Sequence, residues 1–289
     1  MVRTHIGKAK GKRFLYELSD LTRHAVVLGT TGSGKTVMGK VLIEEAMKKG
    51  IPVIAIDPKG DLGGLGIADK DLDFRPFINS DRSASKTADT YSQQLDEQDV
   101  NLKDMPKILS SEVKIYTPRS DSGIRVSLMP DLKAPKGFSA TVEDNPELIT
   151  DFVDPISASV VQLSGIKGSK KEKAQSLISA ILVYRWKQDH DVDFHSLIKD
   201  IISPPMEEIG SLPIEDFLKE NERKKLGSDV NLILSSPAKQ AWNKGSELDV
   251  DSYFSRNRVS VFDLRALHSN EEKQYVVEQL LQEIYRFLM

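Results

Sequence analysis

Short apolar runs and amphipathic stretches alternate along the N-terminal part of the chain. Two runs, Ala25–Leu28 and Val53–Ile56, are apolar and rich in β-branched residues, as strands buried in a parallel sheet are. Between them, Thr36–Lys49 carries an apolar stripe at helical spacing, formed by Met38, Val41, Leu42 and Met47. Strand, helix and strand in this order predict a βαβ unit, with parallel strands and a right-handed crossover.

Further downstream the pattern predicts more strands and then a long helical stretch. Apolar runs predict strands at Val113–Tyr116, at Ile124–Ser127 and, much later, at Arg258–Asp263. The polar residues 81–111 contain one weak helical pattern and predict a surface insertion. Between these strands lie two helical stripes. The clear one is Ala174, Leu177, Ile178, Ile181 and Leu182, and the rougher one is Leu226, Val230, Leu232 and Leu234.

These elements predict four segments. Residues 1–23 form a basic N-terminal segment, 24–135 the first part of an α/β core, 136–252 an inserted helical subdomain, and 253–289 a return to the core. A long amphipathic helix follows the last predicted strand, with apolar positions at Val276, Val277, Leu280, Leu281, Ile284, Tyr285 and Leu288. In a doubly wound fold such a helix leads to another strand, so we expect the chain to be a fragment that ends before that strand.

Composition limits the classes of protein that fit. The 289 residues are 39% hydrophobic and 29% charged, as in a globular protein, and no apolar run reaches the roughly 20 residues of a membrane-spanning helix. Cysteine is absent, which excludes disulfides and thiolate metal sites and predicts a cytoplasmic location. The five histidines are scattered and predict no metal site. A net charge of −3 argues against coating nucleic acid with the whole surface, though not against a local basic loop.

A phosphate-binding loop joins the first predicted strand to the first predicted helix. It matches G-x-x-x-x-G-K-[ST] with the residues Gly29, Thr30, Thr31, Gly32, Ser33, Gly34, Lys35 and Thr36. The glycines let successive N–H groups curl around an anion, and the helix adds its positive N-terminal end. Lys35 is expected to reach the β- and γ-phosphates, and the Thr36 hydroxyl to bind Mg²⁺. The motif predicts nucleotide binding with Mg²⁺.

Asp57 is a second candidate site residue. It ends the second predicted strand, in the turn Asp57–Gly64. Ligands of parallel sheets bind at the carboxyl ends of the strands, so Asp57 is expected near the phosphates. The alternative is that Asp57 only forms a turn ahead of Pro58.

The two motifs together resemble those of the HerA/FtsK-like ATPases, specifically the HerA-type branch. The resemblance starts with "LTRHAVVLGTTGSGKT" and "IPVIAIDPKGDLGGL". It continues through "VKIYTPRSDSGIRVSLMPDL", "SLIKDIISPPMEEIGSLPIEDF", "LILSSPAKQAWNKGSELDVDSYF" and "RVSVFDLRAL", and covers nearly everything from Phe14 onward. HerA usually has His and Glu in the second turn, where this chain has Lys59 and Asp61, so the match is to a related bacterial group.

This resemblance implies a RecA-like P-loop NTPase fold with a mainly parallel sheet and an inserted helical subdomain. It also implies ring-forming ATPases, often hexameric, that couple ATP hydrolysis to the movement of double-stranded DNA, with a nuclease as partner in one branch. In the family the Asp of "IDPKGDL" lies close to the nucleotide, which assigns that role to Asp57. Lys35 and Asp57 are therefore the candidate catalytic residues, and Thr36 is the candidate Mg²⁺ ligand.

Asp263 has two interpretations. From the residues alone, Arg258–Asp263 fits a Walker B strand whose carboxylate binds Mg²⁺, although Leu264 and Arg265 follow where an acidic neighbour is needed. The family pattern instead places this strand before Walker B. We then expect Walker B, its glutamate and any arginine finger to lie beyond Met289, and this chain to bind nucleotide with little turnover.

Two basic clusters are candidates for contact with DNA. One is Arg3, Lys8, Lys10, Lys12 and Arg13, and the other is Lys167, Lys170, Lys171 and Lys173. Each is also compatible with an ordinary solvated loop. Our hypothesis is that the second cluster faces a phosphate backbone in a ring.

Three functions therefore remain open. The first is ATP hydrolysis coupled to DNA translocation or helicase activity in the full-length protein. The second is a motor ATPase of a secretion or conjugation channel, which can move protein and has a membrane complex as its partner. The third is a nucleotide-binding module without turnover, in which ATP only fixes a conformation or an oligomer.

Overall fold

The computed structural model describes residues 3–67, 75, 81–100, 108 and 110–288. Its strands are β1 (Arg3–Ala9), β2 (Lys12–Glu17), β3 (Val53–Asp57), β4 (Glu112–Tyr116), β5 (Glu208–Ile209), β6 (Leu212–Pro213) and β7 (Arg258–Asp263). Its α-helices are α1 (Lys35–Met47), α2 (Asp81–Glu97), α3 (Phe138–Thr141), α4 (Asp154–Ser164), α5 (Lys170–Trp186), α6 (Phe194–Ile202), α7 (Ile214–Phe217), α8 (Glu220–Ser235), α9 (Pro237–Gln240), α10 (Val250–Tyr253) and α11 (Asn270–Leu288). Shorter 3₁₀ turns lie at Leu18–Thr22 and Gly63–Gly66, and a π-helical turn at Ile149–Val153.

The chain divides into two compact units. The sheet unit comprises Met1–Arg125 and Asp249–His268, and the helical unit comprises Val126–Leu248 and Ser269–Met289. These two units follow from the packing of the chain. The limits of the four segments predicted from the sequence remain predictions.

A parallel sheet of order β3-β7-β4 forms the core of the sheet unit. β7 lies in the middle, so its Val259 pairs with Val53 on one side and with Val113 on the other. Val259, Val261 and Phe262 are fully buried, as the near-continuous apolar sequence of a central parallel strand requires. The sheet and the helices confirm the predicted α/β class.

The run Ala25–Leu28 does not form the strand that its sequence predicts. Residues 24–30 are irregular, and the side chains of Val26 and Leu28 are 78% and 87% exposed. A strand exists only while a neighbour completes its hydrogen bonds, and no described strand pairs with this run. The apolar pattern identifies a segment suited to burial, and pairing decides whether it becomes a strand.

The predicted strand at Ile124–Ser127 is also reduced. It is represented by isolated parallel bridges, Tyr116 with Ile124 in the sheet unit and Val126 with Ser246 in the helical unit. A single bridge orders one residue pair, so the chain passes through this region without forming a ladder.

An antiparallel hairpin of β1 and β2 covers part of the sheet unit. Its turn is Lys10-Gly11, both with positive φ, as a tight two-residue hairpin turn requires. The Thr4 hydroxyl donates a hydrogen bond to the carboxylate of Glu45 in α1, and both side chains are buried. This contact fixes the hairpin against the helix that follows the phosphate-binding loop.

The helical unit is built around α5. The predicted stripe is confirmed, since Leu177, Ile178, Ile181 and Leu182 are fully buried. Its last residue, Trp186, is also fully buried, donates its indole N–H to the Leu132 carbonyl at 3.0 Å, and packs edge-to-face on Phe138. The outer helices converge on this core. They include α4, α6 and α8, with Gly227 of α8 allowing close approach to Ile202 of α6.

We predict that Trp186→Ala destabilises the helical unit by about 3–5 kcal/mol, because it removes the largest side chain of the core and its buried hydrogen bond. Urea unfolding followed by circular dichroism measures the change. The matched control is Lys187→Ala, at the next and exposed position, expected to change the free energy of unfolding by at most about 0.5 kcal/mol. Equal effects of the two substitutions would contradict the assignment of Trp186 to the core.

Candidate functional site

The backbone of Gly29–Thr36 has the curvature that an anion-binding loop needs. Gly32 and Gly34 have φ of +79° and +88°, in the left-handed region that favours glycine. The Ser33 N–H donates to the Thr30 carbonyl at 3.2 Å, which closes the turn. A Cβ on Gly29 would lie 2.3 Å from the Ser33 hydroxyl oxygen, so a side chain there requires the Ser33 side chain to move.

The positive groups of the loop converge at the start of α1. The Lys35 ammonium donates to the carbonyls of Gly29 at 2.9 Å and Thr30 at 2.5 Å, which folds it back over the loop. Gly34 is the N-cap, so no side chain caps the first N–H groups of α1, and the first turn contains no acidic residue. Thr36 is exposed beside Lys35. These donors suit phosphate groups, since one short loop brings together free N–H groups, an ammonium and a helix N-terminus.

Two buried carboxylates end neighbouring strands at the carboxyl edge of the sheet. Asp57 ends β3 and Asp263 ends β7, and the two residues are paired in register. Asp57 is 4% and Asp263 5% exposed. Two adjacent buried carboxylates repel each other and lack water, so each needs donors of its own.

Asp57 obtains its donors from the turn that follows it. Its carboxylate accepts hydrogen bonds from the backbone N–H groups of Lys59 at 3.2 Å, Gly60 at 2.8 Å and Leu62 at 2.7 Å. The structure thus gives Asp57 turn-forming contacts at the carboxyl edge of the sheet, and its role beside the nucleotide stays a prediction.

Asp263 obtains its donors from Arg265. The Arg265 Nε lies 3.1 Å from one carboxylate oxygen and 2.9 Å from the other, and Nη2 lies 2.6 Å from the second oxygen. The backbone N–H of Arg265 adds a bond of 3.0 Å. Burial acts to raise the pKa of Asp263, but the hydrogen bonds and charge of Arg265 outweigh it, so this pKa lies below its usual value. Asp263 is held as a carboxylate by an arginine, which is a different environment from that of a free Mg²⁺ ligand.

Arg265 is a residue of the carboxyl edge that no sequence motif identifies. Its signal in the sequence is a cation two residues after a strand-end carboxylate, which indicates an ion pair. Its guanidinium also lies against the turn after β3, since a Cβ on Gly60 would be 1.9 Å from the Arg265 Nε. Arg265 therefore links the turns that follow two neighbouring strands.

The two basic clusters differ in how much of their charge is engaged. In the first, Lys8 and Arg13 both bind the carboxylate of Asp99, at 3.0 and 3.7 Å, and the hydrogen bond from Lys8 lowers the pKa of Asp99. The side chain of Arg3 lies outside the described residues. In the second, Lys173 donates to the Phe217 carbonyl at 3.2 Å and lies over the Phe217 ring. The remaining lysines of the second cluster, Lys167, Lys170 and Lys171, are exposed.

Two kinds of feature are not found among the residues that the structure describes. No group of three or more acidic or histidine side chains has the arrangement of a metal site. Nor does any helix combine the length and the apolar character needed to cross a membrane.

Comparison with known proteins places the chain in a family. The family profile described as "Helicase HerA, central domain" matches residues 5–284. Among solved structures, the fold is similar to that of VirB4 of Thermoanaerobacter pseudethanolicus, with a TM-score of 0.51 and 13% sequence identity. That match covers 98% of this chain and 63% of the VirB4 chain, so this chain spans less than two thirds of it. A search of curated proteins gives no match.

We predict that Gly60→Ala destabilises the sheet unit by about 1–2 kcal/mol, because Gly60 has φ of +78° and its Cβ would displace the Arg265 side chain. The control is Gly63→Ala in the same turn, where the added Cβ meets nothing within 4 Å and φ is not positive. Chemical denaturation of both variants measures the difference. If Gly60→Ala and Gly63→Ala have the same stability, the close packing of Arg265 on this turn is not as described.

Proposed function

Because this chain belongs to the family of the HerA helicase central domain and is a P-loop ATPase of the HerA/FtsK type, we propose that it binds ATP and Mg²⁺ at Gly29–Thr36 to drive movement of double-stranded DNA. The observation that carries the proposal is the position of the Lys35 ammonium, folded over the loop at the uncapped N-terminus of α1. A lysine at a positive helix end with no acidic neighbour is unfavourable by itself, and a phosphate removes the conflict.

Each loop residue has a separate role in this proposal. Lys35 exchanges the carbonyl oxygens of Gly29 and Thr30 for oxygens of the β- and γ-phosphates, and so neutralises charge during the reaction. The N–H groups of the loop, other than that of Ser33, orient the phosphates. The hydroxyl of Thr36, which is exposed, would hold Mg²⁺, and the ion would supply positive charge to the phosphate groups.

Asp57 acts through its turn in this proposal. Three backbone N–H groups occupy its carboxylate, so it fixes the chain direction after β3 and presents Lys59 and Asp61 at the carboxyl edge. In hydrolysis, water attacks the γ-phosphorus, the bond to the bridging β-oxygen breaks, and ADP leaves. The group that orients this water is not Asp57, since three backbone N–H groups already hold its carboxylate.

The DNA part of the proposal is supported by the family and by the second basic cluster. Lys167, Lys170 and Lys171 are exposed in and around the turn before α5. Cations in this arrangement suit phosphates of a duplex that passes through a ring of subunits. A hexameric ring and a partner nuclease belong to the same proposal, as activities of the whole protein.

We predict that Lys35→Ala weakens ATP binding by about 10- to 100-fold, because a charge-assisted contact to the phosphates is lost. Calorimetric titration with ATP and Mg²⁺ measures the dissociation constant. The control is Lys49→Ala, just past the other end of α1, which removes the same charge from an exposed position. ATP binding that is equal in Lys35→Ala and Lys49→Ala would contradict the assignment of the loop.

We predict that replacing Lys167, Lys170 and Lys171 together with Ala flattens the salt dependence of duplex DNA binding. Each lost phosphate contact reduces the slope of log K against log salt by about 0.9. Fluorescence anisotropy of a labelled duplex at several salt concentrations gives the slopes for the two proteins.

A control triple variant removes the same charge from exposed lysines elsewhere in the helical unit, namely Lys133, Lys136 and Lys187. A slope that is unchanged in the first variant, or reduced equally in both, rejects the cluster as a DNA contact.

The three candidate functions are separated by the ATPase activity of the full-length protein. Stimulation of ATP hydrolysis by duplex DNA supports a DNA motor. A rate of ATP hydrolysis that does not change when DNA is added favours the secretion-type motor. ATP binding without hydrolysis favours the nucleotide-binding module.

A further inference from the structure

The guanidinium of Arg265 is bound on one side and open on the other. It holds both oxygens of Asp263, whose side chain is 6% exposed, while the Arg265 side chain itself is 60% exposed. A guanidinium carries five N–H donors, so this pair leaves donors of Arg265 directed to solvent. Arg265 is therefore able to accept a second anionic partner at the carboxyl edge of the sheet.

The surroundings of Arg265 are rich in negative charge. Asp263 raises the pKa of Arg265 most, and the carboxylates of Asp57 and Asp61 add to the effect. Asp57 is already satisfied by three backbone N–H groups, so it does not need Arg265. The exchangeable partner of the guanidinium is thus Asp263, which keeps the backbone N–H of Arg265 when the side chain leaves.

Arg265 also lies against the turn after β3, and this turn approaches the first helix. Its guanidinium contacts the turn at Gly60, and the same turn reaches α1, where a Cβ on Gly64 would lie 3.5 Å from the Lys40 ammonium. The phosphate-binding loop is the N-terminal end of that helix. Ligands of parallel sheets lie at this edge, and the planar fork of an arginine matches the oxygens of a phosphate as well as those of a carboxylate.

We propose that Arg265 is a γ-phosphate-sensing residue, which Asp263 holds in place without nucleotide and which moves to the terminal phosphate when ATP binds. This inference rests on the proposed function, because it needs ATP in the loop formed by Gly29–Thr36. The exchange leaves Asp263 with only the backbone N–H of Arg265, so the pair opens only where the terminal phosphate offsets the lost ion pair. ADP lacks the terminal phosphate, and with ADP the Arg265–Asp263 pair stays closed.

The test is the affinity of Arg265→Gln for ATP and for ADP, each with Mg²⁺, by calorimetric titration. We expect ATP binding to weaken by about 10- to 100-fold, and ADP binding to change by less than about threefold. Equal losses for ATP and ADP would mean that Arg265 only supports the structure, and no loss for either would mean that it does not reach the nucleotide. Both results overturn the inference. Wild-type protein that binds neither nucleotide contradicts the proposed function instead.

The control is Arg258→Gln at the opposite end of β7. Arg258 also pairs with a carboxylate, that of Glu112, so this substitution removes an ion pair of the same kind from the same strand, away from the carboxyl edge. We expect the ratio of ATP to ADP affinity to stay at the wild-type value in Arg258→Gln. A shift as large as that in Arg265→Gln would overturn the inference, because the effect would then follow from weakening β7.

A second variant is expected to change the affinity for ATP in the opposite direction. Asp263→Asn removes the anion that competes for Arg265, so ATP binding is expected to tighten while ADP binding stays the same. A purely structural pair predicts no tightening, and an Asp263 that binds Mg²⁺ predicts weaker binding of ATP. Unchanged or weaker ATP binding in a folded Asp263→Asn protein therefore overturns the inference.

Discussion

The parallel register between β3 and β7 places the carboxylates of Asp57 and Asp263 side by side at one edge of the sheet. Both are buried, and two ionised carboxylates this close destabilise each other unless each has donors of its own. The turn after β3 supplies three N–H groups to one, and Arg265 supplies a guanidinium to the other. The local chain paths after both strands follow from this requirement, as does the position of Arg265 against Gly60.

The need of each buried carboxylate for its own donors also explains why the charged groups of the candidate site lie at one end of the sheet. At the amino end of β7, Arg258 and Glu112 form an ion pair that only ties β7 to β4. At the carboxyl end, Asp57 and Asp263 lie side by side at the edge where parallel sheets bind their ligands. The hairpin of β1 and β2 is fixed elsewhere, by the hydrogen bond from Thr4 to Glu45 near the C-terminal end of α1. The helical unit, in contrast, gains its stability from apolar packing around α5.

Much of the site was predictable because its signals are local. The glycine spacing of the loop, the helix stripe that follows and the buried strand ending in Asp57 are all readable from consecutive residues. The stripe of α5 was predictable for the same reason. Pairing is not local, and the run Ala25–Leu28 shows the difference: its sequence favours a strand, but a strand also needs a partner that its own residues do not specify. Arg265 was missed because its role depends on the register of β7 with β3, which brings it beside Gly60.

The exposed run from Val26 to Leu28 has a consequence for the behaviour of the protein in concentrated solution. It is uncharged, β-branched in part and free of proline, and Val26 and Leu28 lie largely in solvent. Short segments of this composition with unsatisfied backbone groups pair with copies of themselves, and a net charge of only −3 gives weak repulsion between molecules. Copies of the chain can therefore associate through these residues, and self-association there competes with the ordered loop that immediately follows.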